Sequence, residues 1–214
     1  MQTISMKRAI ELIPDGASLM IGGFMGVGTP ERLIDELVRQ GKRNLTIVAN
    51  DTATPSIGIG KLVSNKAIRK AIVSHIGLNP ETQKLMMAGE MSVELVPQGT
   101  LIEQIRAAGS GLGGVLTRTG VGTVVENGKQ KITIGNEEYL LEMPLRADFA
   151  LVHAFLADYM GNLAFALTAR NFNPIIAMAA ETVIVDAEHI VPVGVIAPDH
   201  VVTPAPVVDW LVAN

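Results

Sequence analysis

Short apolar segments alternate with amphipathic segments along the first half of the chain. Mostly apolar runs predict strands at 19–21, 45–49, 70–75 and 93–96. Helical spacing and capping signals predict helices at 29–40, 59–65, from 79 onwards and at 100–108. Four repeats of strand and helix are typical of an α/β fold in which an open, mainly parallel sheet carries helices on both faces.

Polar residues predict where three of these helices begin. Thr29 is expected to cap the first helix, with Pro30 at its first position, where a missing N–H costs nothing. Asn79 is expected to cap the third helix, and Thr100 with Glu103 forms a capping box for the fourth. These helices are therefore expected to begin close to the ends of the preceding strands.

The period of the pattern changes after residue 108. Six glycines crowd into 109–122, either as a ligand-binding loop or as tight turns, and the sequence leaves both interpretations open. Asn127-Gly128 and Gly135-Asn136 are hairpin signals. Two hairpin turns predict a three-stranded antiparallel β-meander, inserted at about 123–143.

The remaining segments complete a single predicted domain over 1–214. The first 13 residues are expected to form a short helix. Apolar runs predict strands at 149–155 and 182–186, and Asn173-Pro174 is expected to cap a helix between them. The proline-rich tail is expected to be loop, and no repeat or low-complexity linker divides the chain.

Composition limits the classes of function. Hydrophobic residues make up 48% of the 214 residues, yet no apolar run approaches the roughly 20 residues that span a bilayer. The surplus predicts a large core, a buried subunit interface, or both. Few aromatic residues, a net charge of −4 and no basic run argue against nucleic acid. The absence of cysteine excludes disulfides and thiolate chemistry. No signal-peptide pattern is present at the N-terminus, so a cytoplasmic protein is expected.

The segment DGASLMIGGFMGVGTP, residues 15–30, contains the first candidate binding site. An apolar strand runs into a loop containing Gly22, Gly23, Gly26 and Gly28, and then directly into a helix. Glycine lets the backbone approach a ligand closely, and a helix N-terminus favours anionic groups such as phosphates. A tight turn with no ligand is the alternative.

A dinucleotide fingerprint is a second alternative for this loop. Asp51 follows the next strand, about where an acid that binds ribose would lie. Glu31, however, occupies the place of the third glycine, and its side chain prevents the close helix–strand packing that glycine allows. The sequence therefore disfavours a nicotinamide cofactor.

Three stretches are expected to meet beyond the carboxyl ends of the strands: 22–28, 50–54 and 97–100. Ligands collect at this edge of open parallel sheets. In the third stretch, Gln98 lies between a strand and a helix, so its amide is expected to point over the edge. A glutamine amide can donate to an oxyanion, as acyl transfer requires. An amide bonded to the nearby backbone is the alternative.

Residues 15–30 match a longer pattern at every position: Asp-Gly, two variable residues, three apolar residues, Gly-Gly-Phe, three residues, Gly, one residue, Pro. The pattern resembles the signature of the A subunits of family I (3-oxoacid type) CoA-transferases. The resemblance continues through PQGT at 97–100, TARNFNP at 168–174, Asp199-His200 and Thr203-Pro204. It covers nearly the whole chain and is similar to A subunits that act on acetate, acetoacetate or butyrate.

The resemblance implies a subunit of a CoA-transferase, which moves CoA between a short-chain acyl-CoA and a free carboxylate. It implies that Gln98 helps to form the oxyanion hole. The residues implied to bind the CoA or acyl group are Gly22, Gly23, Phe24, Met25, Gly26, Val27 and Gly28. A separate B subunit, in a hetero-dimer or hetero-tetramer, would supply the nucleophilic glutamate in a ping-pong reaction. The CoA thioester is a substrate, and neither a permanent cofactor nor a metal is expected.

Glu126-Asn127-Gly128 is similar to the triplet that carries the nucleophile in B subunits of this family. Here the triplet lies on a predicted hairpin turn, which explains Asn-Gly by geometry alone. A hairpin tip is solvated, whereas a nucleophilic carboxylate needs a buried position at a strand end. Glu126 is therefore not expected to be the nucleophile.

Other polar residues carry weaker signals. Arg170 is expected to contact a phosphate or carboxylate, or to form an ion pair at a subunit interface. Structural or surface roles are expected for four histidines with no metal-ligand spacing: His75, His153, His189 and His200. The alternative function is a non-catalytic sensor of CoA, nucleotide or sugar phosphate, like the DeoR-type sensors of related fold. No DNA-binding helix pair is expected from the N-terminal residues and no basic patch is apparent, which argues against this alternative.

Overall fold

The strands and helices predicted for the first half of the chain are present in a computed structural model, which describes residues 1–213. The strands are β1 (Gln2–Ile4), β2 (Ser18–Ile21), β3 (Leu45–Asp51), β4 (Ile68–His75), β5 (Ser92–Leu95), β6 (Val115–Thr117), β7 (Lys131–Ile134), β8 (Glu137–Glu142), β9 (Ala147–Asp158), β10 (Leu163–Ala164), β11 (Ala180–Val191) and β12 (Trp210–Val212). The α-helices are α1 (Met6–Glu11), α2 (Glu31–Arg39), α3 (Ile59–Ser64), α4 (Pro80–Met87), α5 (Gln98–Gly109) and α6 (Asn173–Ile176).

One large sheet organises the domain. Its strands lie in the order β1-β12-β11-β9-β2-β3-β4-β5, and β10 is added to β9. Every pairing along this order is parallel, whereas β10 is antiparallel to β9. The predicted open, mainly parallel sheet is therefore confirmed.

The two faces of the sheet bury separate apolar clusters. Leu19 and Ile21 of β2 belong to the cluster that packs against α1, α2, α3 and α4, whereas Met20 belongs to the one under α5 and α6. Successive residues of a strand point to opposite faces, so a strand covered on both faces needs an unbroken apolar run. Helices on both faces are thus confirmed. No helix among the described residues is long and apolar enough to cross a membrane.

Both ends of the chain join the sheet, which the sequence did not predict. β1 precedes α1, and β12 lies in the tail that was expected to be loop; the two pair with each other, and β12 also pairs with β11. Each of these strands has three residues, too few to show a period. β9 and β11 are also longer than expected. They pair with each other along their length, from Ala147 opposite Ala180 to Asp158 opposite Val191.

A separate antiparallel sheet of three strands has the order β6-β8-β7. The predicted three-stranded antiparallel unit is present. Its predicted range of 123–143 is wrong, because β6 lies inside the glycine-rich run. The predicted meander order is also wrong, because β8 rather than β7 lies at the centre of the sheet. Gly135-Asn136 joins β7 to β8 as expected. Asn127-Gly128 instead follows a short 3-10 helix, Val124–Glu126, because the strand expected before it does not form there.

Two of the three helix caps predicted in the first half of the chain are wrong. Asn79 caps α4, with its side chain accepting from the Thr82 N–H at 3.2 Å. Thr29 does not cap α2, because Pro30 occupies the cap position and no side chain closes that end. α5 begins at Gln98, so the capping-box threonine lies inside the helix, where its buried hydroxyl has no partner.

Candidate functional site

A groove of about 300 Å³ lies beyond the carboxyl ends of β2, β3, β4 and β5. It is lined by Phe24, Met25, Asn50, Asp51, Ser74, His75 and Gln98. These four strands are neighbours in one parallel sheet, so the loops that follow them share one edge. The predicted meeting of the stretches 22–28, 50–54 and 97–100 is confirmed by this lining.

Gln98 is the first residue of α5 and is exposed in the groove. Its side-chain amide makes no hydrogen bond within residues 1–213, unlike Gln40, Gln83 and Gln104, whose amides all donate to the protein. The alternative of a turn glutamine bonded to the nearby backbone is therefore wrong. The amide is available to a ligand.

The glycine loop, residues 22–28, forms a tight turn between β2 and α2. Phe24 and Val27 exchange two backbone hydrogen bonds of 2.9 Å, and their side chains are exposed. Only Phe24 and Met25 line the groove. Gly22 and Gly23 are buried, while Gly26, Val27 and Gly28 line cavities on the other side of the loop. The loop therefore presents apolar side chains to the groove rather than a row of glycine N–H groups.

Asp51 holds two loops at the groove and is 6% exposed. Its Oδ2 accepts from the Met25 N–H and the Asn50 side chain, both at 2.9 Å, and its Oδ1 accepts from the Ala53 N–H at 2.7 Å. Both oxygens are thus occupied by the chain itself. This arrangement argues against the dinucleotide alternative, because the chain itself takes three of the roughly four acceptor positions of this carboxylate.

Asn173 holds the glycine loop from its other side. It is the first residue of α6 rather than its cap, because its side-chain amide is used in hydrogen bonds to other segments and the cap position is Phe172. The Nδ2 group donates to the carbonyls of Gly28 (2.8 Å) and Ala169 (3.0 Å), and Oδ1 accepts from the His153 N–H at 2.8 Å. The TARNFNP motif contains this residue, but only the tertiary structure shows which groups it contacts.

A second cavity of about 480 Å³ lies behind the glycine loop and is lined by Gly26, Gly28, Thr29, Glu31, Arg32, His153, Asp186, Ala187 and Glu188. Arg32 pairs with the buried Asp186, and His153 Nε2 lies 3.1 Å from Glu188 Oε1. No group of three or more potential metal ligands occurs in the part of the chain described. The remaining charged side chain of the lining, Glu31, pairs with Lys61, which lies outside the cavity lining, so all the charged side chains of this cavity have partners.

Glu126 and Arg170 both have partners inside the chain. The Glu126 carboxylate accepts from the Gly122 N–H at 2.6 Å and pairs with Lys131 at 2.9 Å; these contacts hold its pKa below the usual value. Arg170 donates to the Phe165 carbonyl at 3.1 Å and, in residues 1–213, forms no ion pair. Neither side chain lines the groove that contains Gln98.

The other three histidines lie apart from one another. His75 lines the groove, His189 packs edge-on against Phe155 with ring centroids 5.5 Å apart, and His200 lines a third cavity with Arg170. His75 was not predicted to lie at the groove, although its position at the end of β4 is a signal for this location.

Comparison with known proteins extends these observations. The family model described as "Coenzyme A transferase" matches residues 3–214. The chain is 54% identical over 211 residues to acetate CoA-transferase subunit alpha of Escherichia coli K12, covering 99% of this chain and 96% of that protein. It is 52% identical over 198 residues to the acetoacetyl-CoA:acetate/butyrate CoA transferase alpha subunit of Clostridium acetobutylicum, covering 92% of this chain and 91% of that protein.

Solved structures share the fold. An acyl-CoA transferase of Escherichia coli O157:H7, solved as a thioester complex with CoA, matches with a TM-score of 0.87 and 24% identity. The match covers 99% of this chain and 47% of that longer chain. Glutaconate coenzyme A-transferase of Acidaminococcus fermentans matches with a TM-score of 0.84 and 20% identity. That match covers 99% of this chain and 75% of the other chain.

Proposed function

The chain belongs to the coenzyme A transferase family, and on that premise we propose that it is the A (alpha) subunit of a short-chain CoA-transferase. The enzyme moves CoA between an acyl-CoA and a free acetate, acetoacetate or butyrate. One observation carries the proposal: the free amide of Gln98 and the apolar tip of the glycine loop line the same groove. The two alpha-subunit relatives support the choice of short-chain acids.

The nucleophile comes from a partner. Among the groove-lining residues of this chain, Asp51 alone carries a carboxylate, and both of its oxygens accept hydrogen bonds from the chain. We assign the nucleophile to a glutamate of a B subunit, in a hetero-dimer or hetero-tetramer. That subunit seats over the groove, where Phe24 and Met25 expose apolar side chains.

The exchange then proceeds in ping-pong steps. The glutamate carboxylate attacks the thioester carbonyl, and the C–S bond breaks to give an acyl-glutamyl anhydride and the CoA thiolate. The thiolate attacks the glutamyl carbonyl, which releases the first carboxylate and leaves a glutamyl-CoA thioester. The second carboxylate reverses both steps, so one thioester replaces another. The CoA thioester is thus a substrate, and no permanently bound cofactor takes part.

Gln98 donates its amide N–H to the oxygen that becomes negative in the tetrahedral stages. A neutral donor suits this position, because it needs no counter-charge in the free enzyme. Removing one such donor costs about 10²–10³-fold in kcat. The segment proposed to bind the CoA or acyl group is the glycine loop, which consists of Gly22, Gly23, Phe24, Met25, Gly26, Val27 and Gly28. Phe24 and Met25 are its groove-lining residues, and the other five shape the turn that places them there.

Acyl exchange between acetyl-CoA and acetoacetate or butyrate tests the proposal. We expect no exchange with this chain alone, exchange with a B subunit from the same organism, and a fall in kcat of about 10²–10³-fold with Gln98→Ala in the pair. Gln104→Ala is the matched control, because that glutamine lies on the same helix but donates to Glu142 at 2.9 Å.

Three results would contradict parts of the proposal. Exchange by this chain alone would place the nucleophile here. An unchanged kcat for Gln98→Ala would remove the oxyanion role. Ligand binding without turnover, in the presence of any B subunit, would favour the sensing module.

A further inference from the structure

Asn173 is fully buried and uses its side-chain amide to join three separate segments. Its two donor bonds reach Gly28 and Ala169, and its acceptor bond comes from the backbone of β9 at His153. No other element supplies a polar side chain to the Gly28 carbonyl within the described residues. The proposed acyl-transfer steps make no use of this amide.

The same amide also determines the residue type at the start of the loop. A Cβ at Gly22 would overlap the side-chain atoms of Asn173, so only glycine lets the amide lie there. At the other end, Gly28 has φ +72° and packs against Ala169, where a Cβ would lie 2.6 Å from the Ala169 Cα. One buried amide therefore contacts both ends of the seven-residue loop.

The middle of the loop needs such support. Met25 has φ +49°, a left-handed conformation that is costly for a residue with a side chain. The conformation persists only where the surroundings over-determine it. Asp51 accepts from the Met25 N–H on the groove side, and Asn173 restrains the loop ends on the other side.

We propose that Asn173 is a positioning residue of the acyl-transfer site, whose buried amide holds both ends of the glycine loop and so places Phe24 and Met25 in the groove. The inference rests on the proposed function. Asn173 itself is fully buried and does not line the groove. It acts through the loop, so its loss affects how well the acyl-CoA is bound rather than the oxyanion step.

Asn173→Asp is the sharpest variant. It keeps the size of the side chain and the oxygen that accepts from the His153 N–H, but it replaces the NH₂ group with an oxygen that faces the carbonyls of Gly28 and Ala169. In the assembled pair we expect the KM for acetyl-CoA to rise by about tenfold or more, with kcat within about threefold of wild type. Gln98→Ala is expected to lower kcat and to leave the KM for acetyl-CoA nearly unchanged.

Gly22→Ala provides an independent route to the same effect, because its Cβ displaces the amide by contact rather than by removing donors. Asn162→Asp is the structural control. This asparagine also donates and accepts through its side chain, to Asp158 at 2.8 Å and from Ala205 at 2.9 Å, but it makes no contact with the loop. We expect Asn162→Asp to lower the stability of the fold and to leave the KM for acetyl-CoA within about twofold of the wild-type value.

Amide hydrogen exchange of the pair without substrate supplies a second readout. Asn173→Asp and Gly22→Ala should speed exchange at Phe24 and Val27 by about tenfold, whereas Asn162→Asp should not. Wild-type KM and wild-type exchange in the two loop variants would overturn the inference while leaving the CoA-transferase proposal intact. If the wild-type pair shows no acyl exchange, the proposed function itself fails. If Asn173→Asp does not fold, Gly22→Ala decides the question.

Discussion

Replacing Asp51 by asparagine should loosen both loops that its carboxylate holds at the groove. The carboxylate accepts from three donors: the N–H groups of Met25 and Ala53 and the side chain of Asn50. An asparagine has one acceptor oxygen, so its NH₂ group must face at least one N–H whichever way the amide turns. Met25 and Ala53 have φ of +49° and +50°, and these bonds hold both conformations.

The magnitude follows from the contacts. Leaving one buried donor unpaired costs about 1–3 kcal/mol, and each of the two hydrogen bonds that remain contributes roughly 1 kcal/mol less once its acceptor is neutral. Once these bonds weaken, Met25 and Ala53 can leave their left-handed conformations, which offsets about 1–2 kcal/mol of the loss in stability. Asp51 is 6% exposed, so water cannot readily replace the lost acceptor. We expect Asp51→Asn to lower the free energy of unfolding by about 2–3 kcal/mol, a large part of the roughly 5–15 kcal/mol typical of a domain.

Urea unfolding followed by far-UV circular dichroism measures this change through the midpoint and the slope m. The control is Asp15→Asn, because that carboxylate is exposed and accepts a single bond, from the Arg43 N–H at 2.8 Å. The control should change stability by less than about 0.5 kcal/mol. A wild-type midpoint and slope for Asp51→Asn would refute the reasoning, because other contacts would then hold the two loops.

Two further predictions concern carboxylates outside the groove. Hydrogen bonds of 2.5 Å from Arg39, opposed by burial, lower the pKa of Glu36 from 4.5 to about 2. The ionised carboxylate therefore stabilises the folded state above pH 4.5, and this contribution is lost as the pH falls toward 2. The difference in unfolding free energy between wild type and Glu36→Gln, measured in urea, should therefore shrink from pH 6 to pH 2.5; a difference independent of pH would contradict it. Glu126→Gln should keep acyl exchange in the pair within about twofold and stability within about 1 kcal/mol, because the lost contacts to Gly122 and Lys131 are exposed. A loss of exchange by orders of magnitude would identify Glu126 as the nucleophile.

Local patterns were sufficient for much of the fold and part of the site. Strands β2, β3 and β4 are buried on both faces and therefore appear as apolar runs, and helices such as α2 show a 3.6-residue period. Parallel order brings strand ends to one edge, so the meeting of Met25, Asp51 and Gln98 at the groove could be predicted without coordinates. The signature in residues 15–30 identified the family, which the family model confirms.

The sequence by itself thus determined the layered sheet, its helices and the edge at which the candidate site lies, because each of these has a signal within ten or twenty residues. Only the tertiary structure decided the edge pairing of β1 with β12 and the roles of Asp51 and Asn173. Asp51 bonds to a residue 26 positions away, and Asn173 to one 145 positions away. A hydrogen bond between such distant residues leaves no periodic trace in the chain, since it exists only after the sheet has brought its two partners together.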